Sequence, residues 1–120
     1  MSVAFFDFDK TLIDRNSARL WLRHELARGG VPWLQAARAL LWLGQYRLGR
    51  AGLEGGILTA IESLRGRGED ALREEVYGFY REEVRRYYRP RALEQVRLHQ
   101  SRGDAVVLLT SASLYLSEAV

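Results

Sequence analysis

The sequence predicts an α/β fold in which a parallel-sheet core is interrupted by a long helical insertion. Three observations carry this reading. Two short apolar runs, 3–6 and 105–109, suit strands buried in a parallel sheet, which are continuously hydrophobic rather than alternating. The residues between them, 14–88, are patterned as helices. Each apolar run also ends in side chains that carry chemistry, Asp7 and Asp9 after the first and Thr110 and Ser111 after the second. In open α/β sheets ligands bind at that end of the strands.

Composition narrows the class. The chain has 120 residues, 48% of them hydrophobic, enough for one modest domain. It has no cysteine, which excludes disulfides and thiol chemistry. The N-terminus lacks a basic stretch followed by an apolar one, so no signal peptide is expected and a cytoplasmic enzyme is the default. Net charge is +3, and Lys10 is the only lysine among 18 basic residues. The arginines are scattered among 15 acids and fall on helical patterns. They read as solvated faces, so a nucleic-acid partner is not expected.

The elements follow in order. After Ile13, the residues Asp14, Asn16 and Ser17 offer helix N-caps. Leu20, Trp21, His24 and Leu26 then recur at helical spacing until Gly29 and Gly30 stop the helix. His24 reads as a surface or partly buried helix residue, not a metal ligand. Pro32 opens a very apolar helix over 33–48. Gln35, Arg38, Gln45 and Arg47 interrupt it, so an integral membrane span is rejected. Its two tryptophans and its arginines also fit a membrane-surface helix, but a buried helix is the expectation. Residues 51–64 form a weaker helix with a bend expected at Gly55 and Gly56, and Gly66 and Gly68 mark a loop.

Residues 69–88 read as one strong amphipathic helix, with Leu72, Val76, Phe79, Tyr80, Val84 and Tyr87 on the apolar face. Pro90 breaks the pattern, and 91–100 resumes it. Arg102, Gly103 and Asp104 form a turn into the second apolar run, and 114–120 begins a last helix.

The chemistry concentrates at the first strand end. Side chains two apart on an extended chain share a side, so Asp7 and Asp9 are expected to face one spot. Two carboxylates so placed repel unless a cation joins them. Either both stay ionised around Mg²⁺, or one acts as nucleophile while the other holds a proton as general acid. Thr11 adds a hydroxyl that can fasten the turn. The blander alternative is a capped strand-to-helix turn in which Asp and Thr satisfy backbone N–H groups.

The run Asp7-Phe8-Asp9-Lys10-Thr11 after an apolar strand resembles motif I (Asp-x-Asp-x-Thr) of the haloacid dehalogenase superfamily. It is most similar to subfamily IB, the phosphoserine-phosphatase-like enzymes. The resemblance implies that Asp7 attacks phosphorus to form an aspartyl-phosphate. Asp9 would protonate the leaving oxygen and then activate water. It also implies Mg²⁺ on the Asp7 carboxylate and the Asp9 backbone carbonyl. Asp9-Lys10-Thr11 resembles the P-type ATPase run too, but the register from the strand and from Thr11 favours Asp7 as nucleophile.

The second strand, closing in Thr110, resembles motif II, and implies Thr110 as the phosphate-binding hydroxyl with Ser111 as runner-up. A hydroxyl and N–H groups near a helix start can hold an anion. By this resemblance 1–13 and 89–120 form the core, with its Rossmann-like parallel sheet incomplete in this chain, and 14–88 form a helical C1 cap. The family also needs a motif III lysine and motif IV acids after motif II. The ten residues after Thr110 contain no lysine or arginine, and Glu118 is the only acid. The expectation is a Mg²⁺-dependent hydrolase of small phosphomonoesters such as phosphoserine. Its missing parts would come from a C-terminal segment or another chain. The alternative is an incomplete domain that binds phosphate or a protein.

Overall fold

A computed structural model describes residues 1–30 and 32–120. Strands β1 (Val3–Phe6) and β2 (Ala105–Leu108) pair in parallel, with Val3 opposite Ala105 and Phe6 opposite Leu108. The ladder runs on at both ends. Ala105 N–H donates to the Ser2 carbonyl at 2.9 Å, and Leu109 N–H to the Phe6 carbonyl at 2.8 Å. Among the described residues there are six α-helices: α1 (Ser17–Ala27), α2 (Trp33–Arg47), α3 (Leu53–Ser63), α4 (Glu69–Phe79), α5 (Pro90–Ser101) and α6 (Leu114–Ala119).

Continuously apolar strands predict burial on both faces, and the structure corrects this. Helix α5 packs along β2, and His99 on it meets the Phe6 ring edge-on at 6.0 Å. Ala4 and Phe6 are partly covered, whereas Val3, Phe5 and Val107 on the opposite face are open, Phe5 being 64% exposed. An apolar run looks the same whether one face or two are covered, so the pattern overstates the burial.

The chain divides into two compact units, Met1–Leu22 with Asp70–Val120, and Arg23–Glu69. In the first unit the deepest side chains are Phe8, Ile13, Phe79 and Val84. They belong to the turn after β1 and to the end of the α4 arm, not to the sheet. The helical excursion leaves and returns at one point. Ile13 bridges Tyr88 in antiparallel fashion, with Asp14 N–H on the Tyr87 carbonyl (3.0 Å) and Arg89 N–H on the Leu12 carbonyl (2.8 Å). Tyr80 and Tyr88 share a hydroxyl hydrogen bond of 2.8 Å. Burial first, and that bond second, push the Tyr88 phenol well above its ordinary value.

The single helix expected over 69–88 is three pieces. Helix α4 ends at Phe79, a wide π-type turn covers Tyr80–Val84, and a tight 3₁₀ turn covers Arg85–Tyr87. The reason lies in the spacing of the buried residues. Leu72, Val76 and Phe79 keep the α-helical period, but the next α position is Glu83 and the next fully buried apolar residue is Val84. A wide turn absorbs one extra residue and brings Val84 onto the buried face.

In the second unit α2 and α3 form a hairpin. The bend expected at Gly55 and Gly56 is absent, because the helix runs through both. Gly56 instead admits the Trp42 ring, since a Cβ there would lie 2.5 Å from it. Trp42 also donates its indole N–H to the Gly52 carbonyl at 3.2 Å. Helix α2, expected to be buried, has no buried residue, and Trp33 is 80% exposed. A two-helix hairpin hides only the stripe at its contact. Arg67 grips Glu25 with both terminal nitrogens, and Gly30 leaves room for that pair. Among the described residues no helix is long and apolar enough to cross a membrane.

The turn from α5 into β2 carries a pH-sensitive clamp. Asp104 accepts from Ser2 N–H (3.2 Å) and meets His99 Nδ1 at 2.9 Å. The His99 contact first, then the Ser2 bond, hold the Asp104 carboxyl below its ordinary value of 3.8. A depressed folded-state pKa gives stability that is complete above the unfolded value and is lost as pH falls through the folded one. Asp104→Asn is therefore expected to flatten the acid limb of the stability curve below about pH 4. Urea titrations of both proteins at pH 3 to 7 check this.

Candidate active site

Asp7 caps the end of β1. Its Oδ1 accepts from Phe8 N–H at 2.8 Å, and its Oδ2 accepts from the Thr11 hydroxyl at 3.2 Å. Thr11 thus fastens the turn, and it fixes the Asp7 carboxylate while leaving it exposed.

Asp9 is placed differently from the sequence argument. The strand ends at Phe6, and the chain curls through Phe8–Leu12 with Asp9 extended (φ −65°, ψ 126°) and Lys10 left-handed (φ 59°). Strand alternation therefore does not position Asp9. The Lys10 kink does, together with α1, because Asp9 Oδ1 accepts from Ser17 N–H at 2.7 Å. That bond satisfies a donor of the first turn of α1, where a negative charge is favoured. Asn16 supplies the conventional cap, its side chain accepting from Arg19 N–H at 3.0 Å. Among the described residues the second Asp9 oxygen takes no hydrogen bond. These bonds also contain the capped-turn alternative, since each acid does satisfy a backbone N–H. The arrangement adds an exposed second strand end beside them.

Lys10 is the one non-glycine residue with positive φ among those described. A β-branched residue is strongly disfavoured there, whereas glycine is not. Lys10→Ile is expected to cost about 1–2 kcal/mol, and Lys10→Gly to stay within about 1 kcal/mol of the native chain. Thermal melts of the two variants measure the difference.

Thr110 and Ser111 follow β2 directly beside this turn. Because Phe6 pairs with Leu108, the ends bearing Asp7 and Thr110 belong to neighbouring parallel strands. Thr110 Oγ1 accepts from Ala112 N–H at 3.1 Å, which leaves its own hydrogen to be donated. Ser111 is exposed. Ser113 caps α6 by accepting from Leu116 N–H at 3.3 Å. Glu118 is held by Tyr77 at 3.2 Å and by Arg73 at 3.4 Å.

The candidate donors at the β1 end are hard oxygens, the carboxylates of Asp7 and Asp9 and the backbone carbonyl of Asp9. That chemistry suits Mg²⁺ rather than a soft transition metal. A pocket of about 210 Å³ adjoins the site, between α1, α4 and the loop into α6. Sequence reasoning missed it because its walls come from three distant stretches. It also missed the Asp9–Ser17 bond, for which Ser17 as a cap candidate was the available signal.

Comparisons with known proteins bear on the fold and the family. A solved structure titled as a protein with unknown function from Bordetella pertussis Tohama I superposes with a TM-score of 0.80 at 24% identity. The match covers 98% of this chain and 53% of that one, so this chain spans about half the length of that protein. No curated protein matches the chain. The family model for haloacid dehalogenase-like hydrolases matches residues 4–120. The chain belongs to the haloacid dehalogenase-like hydrolase family, in an α/β fold built on a two-stranded parallel sheet.

Proposed function

We propose that the protein works as a Mg²⁺-dependent phosphomonoester hydrolase organised like subfamily IB, with residues 14–88 as its helical cap. The observation that carries this reading is the pairing of an exposed, oriented Asp7 with Thr110 at neighbouring strand ends. Asp7 attacks phosphorus, the bond from phosphorus to the alcohol oxygen breaks, and Asp9 gives that oxygen a proton. Asp9 then takes a proton from water as the water oxygen attacks phosphorus. The bond to Asp7 breaks, and inorganic phosphate leaves. Thr110, with Ser111 beside it, donates hydrogen bonds to the phosphoryl oxygens. The Asp7 carboxylate and the Asp9 carbonyl would hold Mg²⁺, which when bound offsets phosphate charge.

A second reading is favoured by the open sheet face of Val3, Phe5 and Val107. Parallel sheets are covered on both faces, so this chain would be the nucleophile-bearing part of a larger core. The cover and the compensating positive charge would then come from further α/β structure, in the same protein or in another chain. The test is hydrolysis of an aryl phosphate with and without Mg²⁺, alongside phosphate binding followed at Thr110. Metal-dependent turnover supports the first reading. Phosphate binding without turnover, in folded protein, supports the second. Neither binding nor turnover rejects both.

A further inference from the structure

The pocket beside the candidate site says what kind of alcohol the phosphate would be esterified to. This inference rests on the phosphohydrolase reading above. We infer that the pocket between α1, α4 and α6 receives the alcohol part of the substrate, and that this part is a small neutral aromatic group, a phenol or a benzyl-type alcohol.

Position comes first. The pocket is lined by Ser17 and by Ser111. The N–H of Ser17 is the group that binds Asp9, and Ser111 is the residue after Thr110. The pocket therefore shares a residue with the proton donor's support and another with the phosphate-binding segment. An ester with its phosphoryl group at the ends of β1 and β2 has this pocket as its neighbouring space.

Chemistry comes second. The rest of the wall is apolar, with Trp21, Val76, Phe79 and Leu116 its main surfaces. Among the described residues no ionisable side chain lines it, and its polar side-chain groups are serine hydroxyls and the indole N–H of Trp21. Of these, Ser113 is already engaged on Leu116 N–H. A charged amino or carboxylate group placed against this wall would give up part of its water and meet no counter-charge. That argues against the zwitterionic serine of phosphoserine as the alcohol.

Size and shape come third. An apolar cavity of roughly 150 Å³ takes up benzene. This pocket has about 210 Å³, space for one ring with a short substituent. Trp21 and Phe79 meet edge to face, 5.1 Å apart with planes at 83°, so the wall itself is aromatic. A third ring can join such a pair in offset or edge-on contact.

The test separates the pocket from the phosphate site. The folded chain, with isotope-labelled methyl groups, is titrated with benzyl alcohol, with L-serine and, separately, with inorganic phosphate plus Mg²⁺. The expected result is saturable shifts at the Val76 and Leu116 methyls with benzyl alcohol and none with L-serine. Ala18, an exposed residue of the pocket wall, is then changed to phenylalanine to fill the space. Ala18→Phe is expected to weaken benzyl alcohol binding at least tenfold while the phosphate response at Thr110 is kept. No response to benzyl alcohol, an equal response to L-serine, or indifference to Ala18→Phe overturns the assignment of the pocket. A response to benzyl alcohol with none to phosphate overturns the phosphohydrolase reading, and with it the pocket's role in substrate binding.

Discussion

Asp7→Asn is expected to lower Mg²⁺-dependent aryl phosphate hydrolysis by at least about a thousand-fold, because it removes the nucleophile and keeps the shape. The amide oxygen can still accept from Phe8 N–H or from Thr11, the two bonds that seat the native side chain. Folding should therefore change little, and the loss should fall on turnover. Asp9→Asn should behave differently. It keeps an acceptor for Ser17 N–H but cannot give up or take the proton, so it should slow both the formation and the breakdown of the intermediate. Steady-state rates for the three proteins at saturating Mg²⁺, with circular dichroism to check folding, provide the comparison. Equal rates for Asp7→Asn and the native chain would remove Asp7 from the mechanism.

Phe79→Ala is the substitution expected to damage the fold most, at about 3–5 kcal/mol. Phe79 is 1% exposed and packs edge-on against Trp21. It is also the last residue before the wide turn that brings Val84 inward. Truncation leaves a cavity that α1 and α4 cannot close without moving, and cavity volume adds to the lost transfer energy. Against a typical domain stability of about 5–15 kcal/mol, such a loss should lower the melting temperature by roughly 10 °C or more. Phe79→Leu, which keeps most of the volume, should cost far less. A melt for Phe79→Ala close to that of the native chain would show that the core is centred elsewhere.

Much of the architecture was legible in the sequence, and the reasons are specific. The two strands are short apolar runs bounded by Asp7 and Thr110, and they pair as a parallel sheet requires. Gly29 and Gly30 stop α1, Pro32 precedes α2 and Pro90 opens α5, each through its own backbone restriction. What stayed hidden depends on tertiary contact. Lysine does not announce a left-handed residue, so the kink at Lys10 gave no sign, and with it went the true partner of Asp9. The wide turn at Tyr80–Val84 is set by which side of the arm is buried, which local propensity does not record. The openness of α2 and of the Val3–Phe5 face was invisible because apolar residues carry the same pattern with or without a neighbour. The pocket draws on Trp21, Val76 and Ser111, and only the folded chain brings these together.

The central claim is that Asp7 becomes phosphorylated, and trapping that species tests it most directly. Native protein is mixed with ³²P-labelled aryl phosphate and Mg²⁺, quenched in acid and digested, and the labelled peptide is identified. The account predicts label on the peptide containing Asp7, released by hydroxylamine as an acyl phosphate should be, and absent from Asp7→Asn. Label that survives hydroxylamine, or that persists in Asp7→Asn, would contradict it.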